Sequence, residues 1–179
     1  MRMAALVSAL LLVVLFSHPT PSPARWYLPT VRIWIAPDTL PDRSAEDSIN
    51  VKDAFEVWES TTRSPHFVFV AHEREANIVV RWVPDFSALL PETLSGQTTF
   101  VADSDDNRIV INTATITIAM RTSSGLLLSD WDRHALLLHE IGHALGLSHV
   151  NDPSSIMNPI VYIDYLSTAD KCALDTLYH

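Results

Sequence analysis

Sulfur, glycine and positive charge are all scarce in this chain. A single cysteine, Cys172, stands among 179 residues, so no internal disulfide can form. A lone cysteine in a helical pattern is expected to be a small buried hydrophobe. Basic residues are in deficit, with 12 Lys and Arg against 21 Asp and Glu and a net charge of −9. That balance disfavours nucleic acid and anionic membranes as partners and says little about peptide substrates. Only four glycines occur, and two of them, Gly142 and Gly146, fall within one histidine-rich stretch. No histidine lies between His72 and His134, and no internal repeat is visible.

What is present begins with a short basic start, Met1-Arg2-Met3, and an apolar run from Ala4 to Phe16. The run is too short to span a bilayer comfortably. A Pro-rich polar stretch, His18 to Pro23, follows it. Together they read as a secretory leader, with Ser22-x-Ala24 as a cleavage site and Ser17 or Thr20 as alternatives. The expected partition is a leader over residues 1–24 and one domain over residues 25–179. Removing the leader takes away one arginine and no acid, leaving 11 basic against 21 acidic residues and a charge of −10. The mature protein is then expected to be a secreted or periplasmic monomer with no stable membrane insertion.

Periodicity orders the rest. Val31 to Ile35 alternates as a strand. Ser44 and Asp47 form a capping-box pattern, and Val51, Ala54, Phe55 and Trp58 recur at helical spacing, which predicts a helix over about 45–60. His66 to Ala71, Asn77 to Val83, Gln97 to Ala102 and Arg108 to Asn112 are predicted strands. A helix capped by Ser129 and a last helix over about 168–178 complete the order β-α-β-β-β-β-α-α, an α/β domain on a twisted sheet.

The histidine-rich stretch carries the chemistry. His139, Glu140, His143, Gly146 and His149 spell H-E-x-x-H-x-x-G-x-x-H. Chance assembly of these identities is on the order of once in 10^5 chains of this length. His139 and His143 are one helical turn apart on one face, so both imidazoles can reach one zinc ion at about 2.0–2.1 Å. Glu140 is turned about 100° from His139 and suits the role of general base toward a water acidified by the ion. Glycine accepts the left-handed conformation that ends helices, so Gly146 lets the chain turn and bring His149 back as third ligand. Gly142, mid-helix, points to close packing, either at the site or purely local. His134 reads as an ordinary, partly exposed histidine.

Residues 139–149 resemble the metzincin zinc-binding signature, and Met157 resembles its Met-turn. Within that group, the run from His139 to His149, then Asp152-Pro153, Met157 and Pro159, most resembles the matrixins, the matrix-metalloproteinase-like peptidase M10 branch. Leu166-Ser167 and Asp170 resemble the start of that branch's last helix. The resemblance implies a metzincin-like zincin fold: a five-stranded mixed sheet, two long helices, and a small C-terminal part with the Met-turn and last helix. It implies one catalytic zinc with Met157 as a hydrophobic floor. It also implies that Asp170 hydrogen-bonds backbone near the Met-turn, the alternative being a solvated helix acid.

By the same resemblance Gln97, Thr98, Thr99 and Phe100 fall on an antiparallel edge strand above the cleft, where an extended peptide can be added as a strand. Pro159 and Tyr162 are expected to wall the pocket for the substrate side chain beyond the cleaved bond, although the family's tyrosine usually stands one residue earlier. Tyr162 could instead be a packed loop aromatic. The sequence departs from many matrixins in having no cysteine upstream of the zinc motif and no candidate second zinc site. The acidic turn from Asp103 to Asn107 reads as a solvated hairpin turn in preference to a calcium site. The leading expectation is a secreted zinc endopeptidase acting on peptides or proteins. The alternatives are a non-catalytic peptide-binding module that keeps its zinc, and a zinc amidase using the same atoms.

Overall fold

A computed structural model describes residues 23–37, 39–86, 95–105 and 108–179. Residues 1–22 of the leader expected over residues 1–24, most of the loop after Pro84, and Asp106 and Asn107 of the acidic turn lie outside the described residues.

Among the described residues six strands and three α-helices follow one another. They are β1 (Ala24–Arg25), β2 (Thr30–Ile35), α1 (Ala45–Glu59), β3 (His66–Phe69), β4 (Ile78–Val83), β5 (Gly96–Asp105), β6 (Arg108–Ala119), α2 (Asp130–Ala144) and α3 (Thr168–Tyr178). A 3-10 turn, Glu73–Glu75, links β3 to β4. The sheet runs β5-β6-β4-β2-β3, parallel except for β5, which pairs antiparallel with β6. This is the expected five-stranded mixed sheet. The two-residue β1 adds to it, pairing with Ile109 and Val110 of β6 beyond the point where β4 begins.

Two differences from the sequence reading have local causes. β6 extends seven residues past Asn112, because Thr113 to Ala119 alternates Thr with Ala and Ile and so presents an apolar face at period two. Ala114, Ile116 and Ile118 of that face are buried. Cys172 is exposed, which corrects the expectation of a buried thiol. α3 buries Asp170, Leu174 and Leu177, and 172 falls on the opposite side of a 3.6-residue turn.

One face of the sheet carries the core. Val31 and Ile33 of β2, Ile78 and Val80 of β4, and Ile116 and Ile118 of β6 alternate inward. They meet Val51, Phe55 and Trp58 of α1 and Leu137, Leu138 and Ile141 of α2, all without solvent exposure. Burying each such side chain contributes about 1.5–3 kcal/mol. The two long helices are tied at their N-terminal ends by a buried ion pair, Arg133 Nε to Asp47 Oδ1 at 2.9 Å. α2 is thus buried against α1 and the sheet, which is what fixes the histidine stretch in space. Among the described residues no helix is long and apolar enough to cross a membrane.

Candidate active site

The site is built on the second half of α2. Ser129 caps this helix, accepting from Asp132 N while its own N–H donates to Asp132 Oδ2 at 2.9 Å. From there His139 and His143 fall on one face. The helix ends in a Schellman turn: Leu147 N donates to Gly142 O and Gly146 N to His143 O, each at 2.9 Å. Gly146 has φ of 101°, the left-handed conformation expected from sequence. A Cβ there would also lie 1.8 Å from the Ala24 carbonyl oxygen, so the N-terminal segment packs directly on the turn. Trp26 Nε1 donates to Ala144 O at 2.8 Å and Tyr178 Oη to Leu145 O at 2.9 Å. Both carbonyls belong to the end of α2, where backbone acceptors run out of helical partners.

Beyond the turn the chain brings His149 back. The three Nε2 atoms form a nearly equilateral triangle, with His143 to His149 at 3.0 Å, His143 to His139 at 3.1 Å and His139 to His149 at 3.2 Å. Their opposite nitrogens decide the tautomers. His139 Nδ1 lies 2.6 Å from Ile156 O, and His143 Nδ1 lies 2.8 Å from Leu147 O. A carbonyl only accepts, so each Nδ1 carries the proton and each facing Nε2 a lone pair. Burial holds all three rings neutral, shifting His139 and His149 down and His143 to about 3. Lone pairs so close repel unless a cation lies among them. Tetrahedral zinc with ligands at about 2.0–2.1 Å would set them about 3.3–3.4 Å apart, within a few tenths of an ångström of what is found. Among the described residues this is the one group of histidine, cysteine or acidic side chains able to hold a metal ion, and its neutral nitrogen donors fit zinc.

Glu140 is buried beside them, and burial raises its carboxyl to about 7. Its neighbours come from β5. Thr98 Oγ1 lies 2.7 Å from Glu140 Oε2 and 2.9 Å from Glu140 O. A Cβ on Gly96 would fall 2.6 Å from Glu140 Oε1. Neither contact was visible in the sequence, although Gly96, one of four glycines, was the available signal. Met157 is buried against α2, where a Cβ on Gly142 would lie 2.3 Å from Met157 Sδ. Asp170 anchors the segment that carries Met157. It accepts from the Ser155 hydroxyl and from Ile156 N at 3.1 Å, while also capping α3 by accepting from Ser167 N at 2.8 Å. The carbonyl of Ile156, placed by that bond, is the one that orients His139.

Of the expected substrate-binding residues Thr98 reaches Glu140, whereas Thr99 and Phe100 are exposed and Gln97 is half-buried. Among the described strands only β6 pairs with β5, so its outer edge has no strand partner. Pro159 is exposed and Tyr162 is 54% exposed. His134 is half-buried and stands apart from the triad. Asp103 accepts from Asn112 Nδ2 at 2.8 Å across the hairpin.

Comparison with known proteins agrees with this geometry. Residues 26–179 match the family described as matrixin. A curated relative, the macrophage metalloelastase of Oryctolagus cuniculus, is 50% identical over a stretch covering 23% of this chain and 10% of that protein. The match thus spans about a tenth of that relative's length.

Proposed function

This chain belongs to the matrixin family, and from that premise we propose that it is a zinc-dependent endopeptidase, secreted through a leader over residues 1–24 and active as the domain over residues 25–179. The observation that carries the reading is the convergence of three neutral imidazoles, their Nε2 atoms within 3.2 Å of one another, beside a buried carboxyl group on the helix that bears two of them.

His139, His143 and His149 are the residues that would hold the ion. Zinc, when bound, would acidify water and polarise the scissile carbonyl. Glu140 accepts the proton of the attacking water and returns it to the leaving amine. A carboxylate within reach of both the water and the leaving nitrogen can do both. An extended peptide adds to the unpaired edge of β5 along Gln97, Thr98, Thr99 and Phe100 by main-chain hydrogen bonds. Pro159 and Tyr162 line the pocket for the side chain that follows the cleaved bond. Met157 supplies an apolar floor and no ligand.

The test is cleavage-site profiling on a peptide library, with and without chelator, for the wild type, Glu140→Gln and His143→Ala. Glu140→Gln is expected to keep its zinc and lose hydrolysis by about 10²–10⁴-fold, and His143→Ala to lose both. A wild type that binds zinc and peptides without cleaving any would instead make this a binding module.

A further inference from the structure

Thr98 stands on the edge strand, yet its side chain does not face the groove where a peptide would lie. β5 alternates, so Gly96 and Thr98 share the face turned to α2, and both meet Glu140. The glycine leaves room for the carboxylate, since any Cβ at 96 would lie 2.6 Å from Oε1 and 2.9 Å from Cγ. The threonine hydroxyl reaches Oε2 at 2.7 Å and Glu140 O at 2.9 Å. A hydroxyl has one proton to give. The carboxylate is the stronger acceptor and the closer one, so the proton goes mainly to Oε2.

A free glutamate side chain has three rotatable bonds, and fixing them costs about 1.5–2 kcal/mol of rotamer freedom. In Glu140 much of that freedom is removed in advance by two residues of one neighbouring strand. From this geometry we infer that Thr98 is a positioning residue for catalysis: its hydroxyl holds Glu140 Oε2 and leaves Oε1 to the attacking water. The inference rests on the peptidase reading for its catalytic meaning, but the contact is a property of the fold by itself. It also ties the base to the strand proposed to receive the peptide, so the two groups that must meet at the scissile bond share one support.

The experiment compares Thr98→Val, Thr98→Ser and wild type in three measurements: zinc content, steady-state kinetics on a cleaved peptide, and crystal structures. Thr98→Val removes the hydroxyl at constant shape. It is expected to keep stoichiometric zinc and a KM within about twofold, and to lose kcat by about 10–100-fold, the scale of losing one orienting contact. Thr98→Ser restores the hydroxyl and is expected to return kcat to within a few-fold of wild type. In the crystal, the Glu140 carboxylate is expected to keep its orientation in wild type and Thr98→Ser and to rotate in Thr98→Val.

An unchanged kcat in Thr98→Val, equal impairment of Val and Ser variants, or a loss that falls on KM alone would overturn the inference. If Thr98→Val fails to fold while Thr98→Ser folds with low kcat, the hydroxyl is structural and the inference is likewise wrong. A wild type without chelator-sensitive cleavage would defeat the peptidase reading instead. The carboxylate orientation in the two variants would still decide whether Thr98 positions Glu140.

Discussion

Gly142 and Met157 are fitted so closely that a methyl group on the glycine would sit 2.3 Å from the methionine sulfur. The same Cβ would lie 3.1 Å from Trp58 Cζ2. The helix that carries His139 and His143 and the segment that carries Met157 are therefore in contact through a position where any side chain forces its neighbours to shift. Gly142→Ala is expected to destabilise the protein by about 1–3 kcal/mol through overpacking, outweighing the roughly 1 kcal/mol that alanine gains in helix propensity. In a Met157→Ala background the same substitution should cost less or become favourable. A double-mutant cycle by urea unfolding checks this, and additive effects would contradict the contact.

At the end of the same helix Gly146→Ala meets a backbone obstacle: the residue stands at φ 101°, which costs a non-glycine about 1–2 kcal/mol, and in the unprocessed chain its Cβ would also collide with the Ala24 carbonyl. A lowered Tm, with weaker zinc binding because His149 depends on this turn, is the expected outcome. Calorimetry and a competitive zinc titration measure the two effects, and a variant with both unchanged would show that the turn is not under this constraint.

The ion pair between α1 and α2 makes a third case. Asp47 and Arg133 side chains are 1% and 8% exposed. Asp47→Ala leaves Arg133 with only the exposed carboxylate of Asp130, removes the acceptor of the Ser44 N–H at the start of α1, and is expected to cost about 3–5 kcal/mol. Asp47→Asn, which keeps an acceptor, should cost less. Equilibrium denaturation with circular dichroism ranks the two, and equal losses would mean that packing matters here more than charge.

Stability against pH in the chelated protein should show two opposed contributions. His143 titrates near 3 in the fold, against an ordinary 6.5. Between those values the unfolded chain binds the extra proton, so this contribution to stability rises with pH. Glu140 titrates near 7 in the fold, against an ordinary 4.5. Between those values the folded chain holds the extra proton, so this contribution falls as pH rises. His139 and His149 are also shifted down and act in the direction of His143. From pH 5 to 7 the urea midpoint is expected to gain more in Glu140→Gln than in wild type, and less in His143→Gln. The reverse ranking would show that the carboxyl and imidazole environments are misassigned.

Several parts of this site were readable before any fold was known, and they share one property: short-range geometry. His139 and His143 share a face because helical turns repeat every 3.6 residues, and Gly146 turns the chain because glycine accepts positive φ. Ser129 with Asp132 closes its cap over three residues. The sequence reading ends β6 at Asn112, although the Thr-Ala-Ile alternation that carries the strand on to Ala119 is a local pattern too. The side of α3 on which Cys172 falls could be settled only by what packs against the helix.

Amino-acid order alone thus determined the donor set, the spacing of its first two members and the turn that returns the third, because each depends on backbone geometry within about ten residues. Tertiary structure decided what surrounds that set. Thr98 reaches Glu140 across 42 residues, Tyr178 reaches Leu145 across 33 and Trp26 reaches Ala144 across 118. Such contacts arise only when strands and helices are brought together by burial of a shared core, a non-directional force that leaves no fixed spacing in the chain.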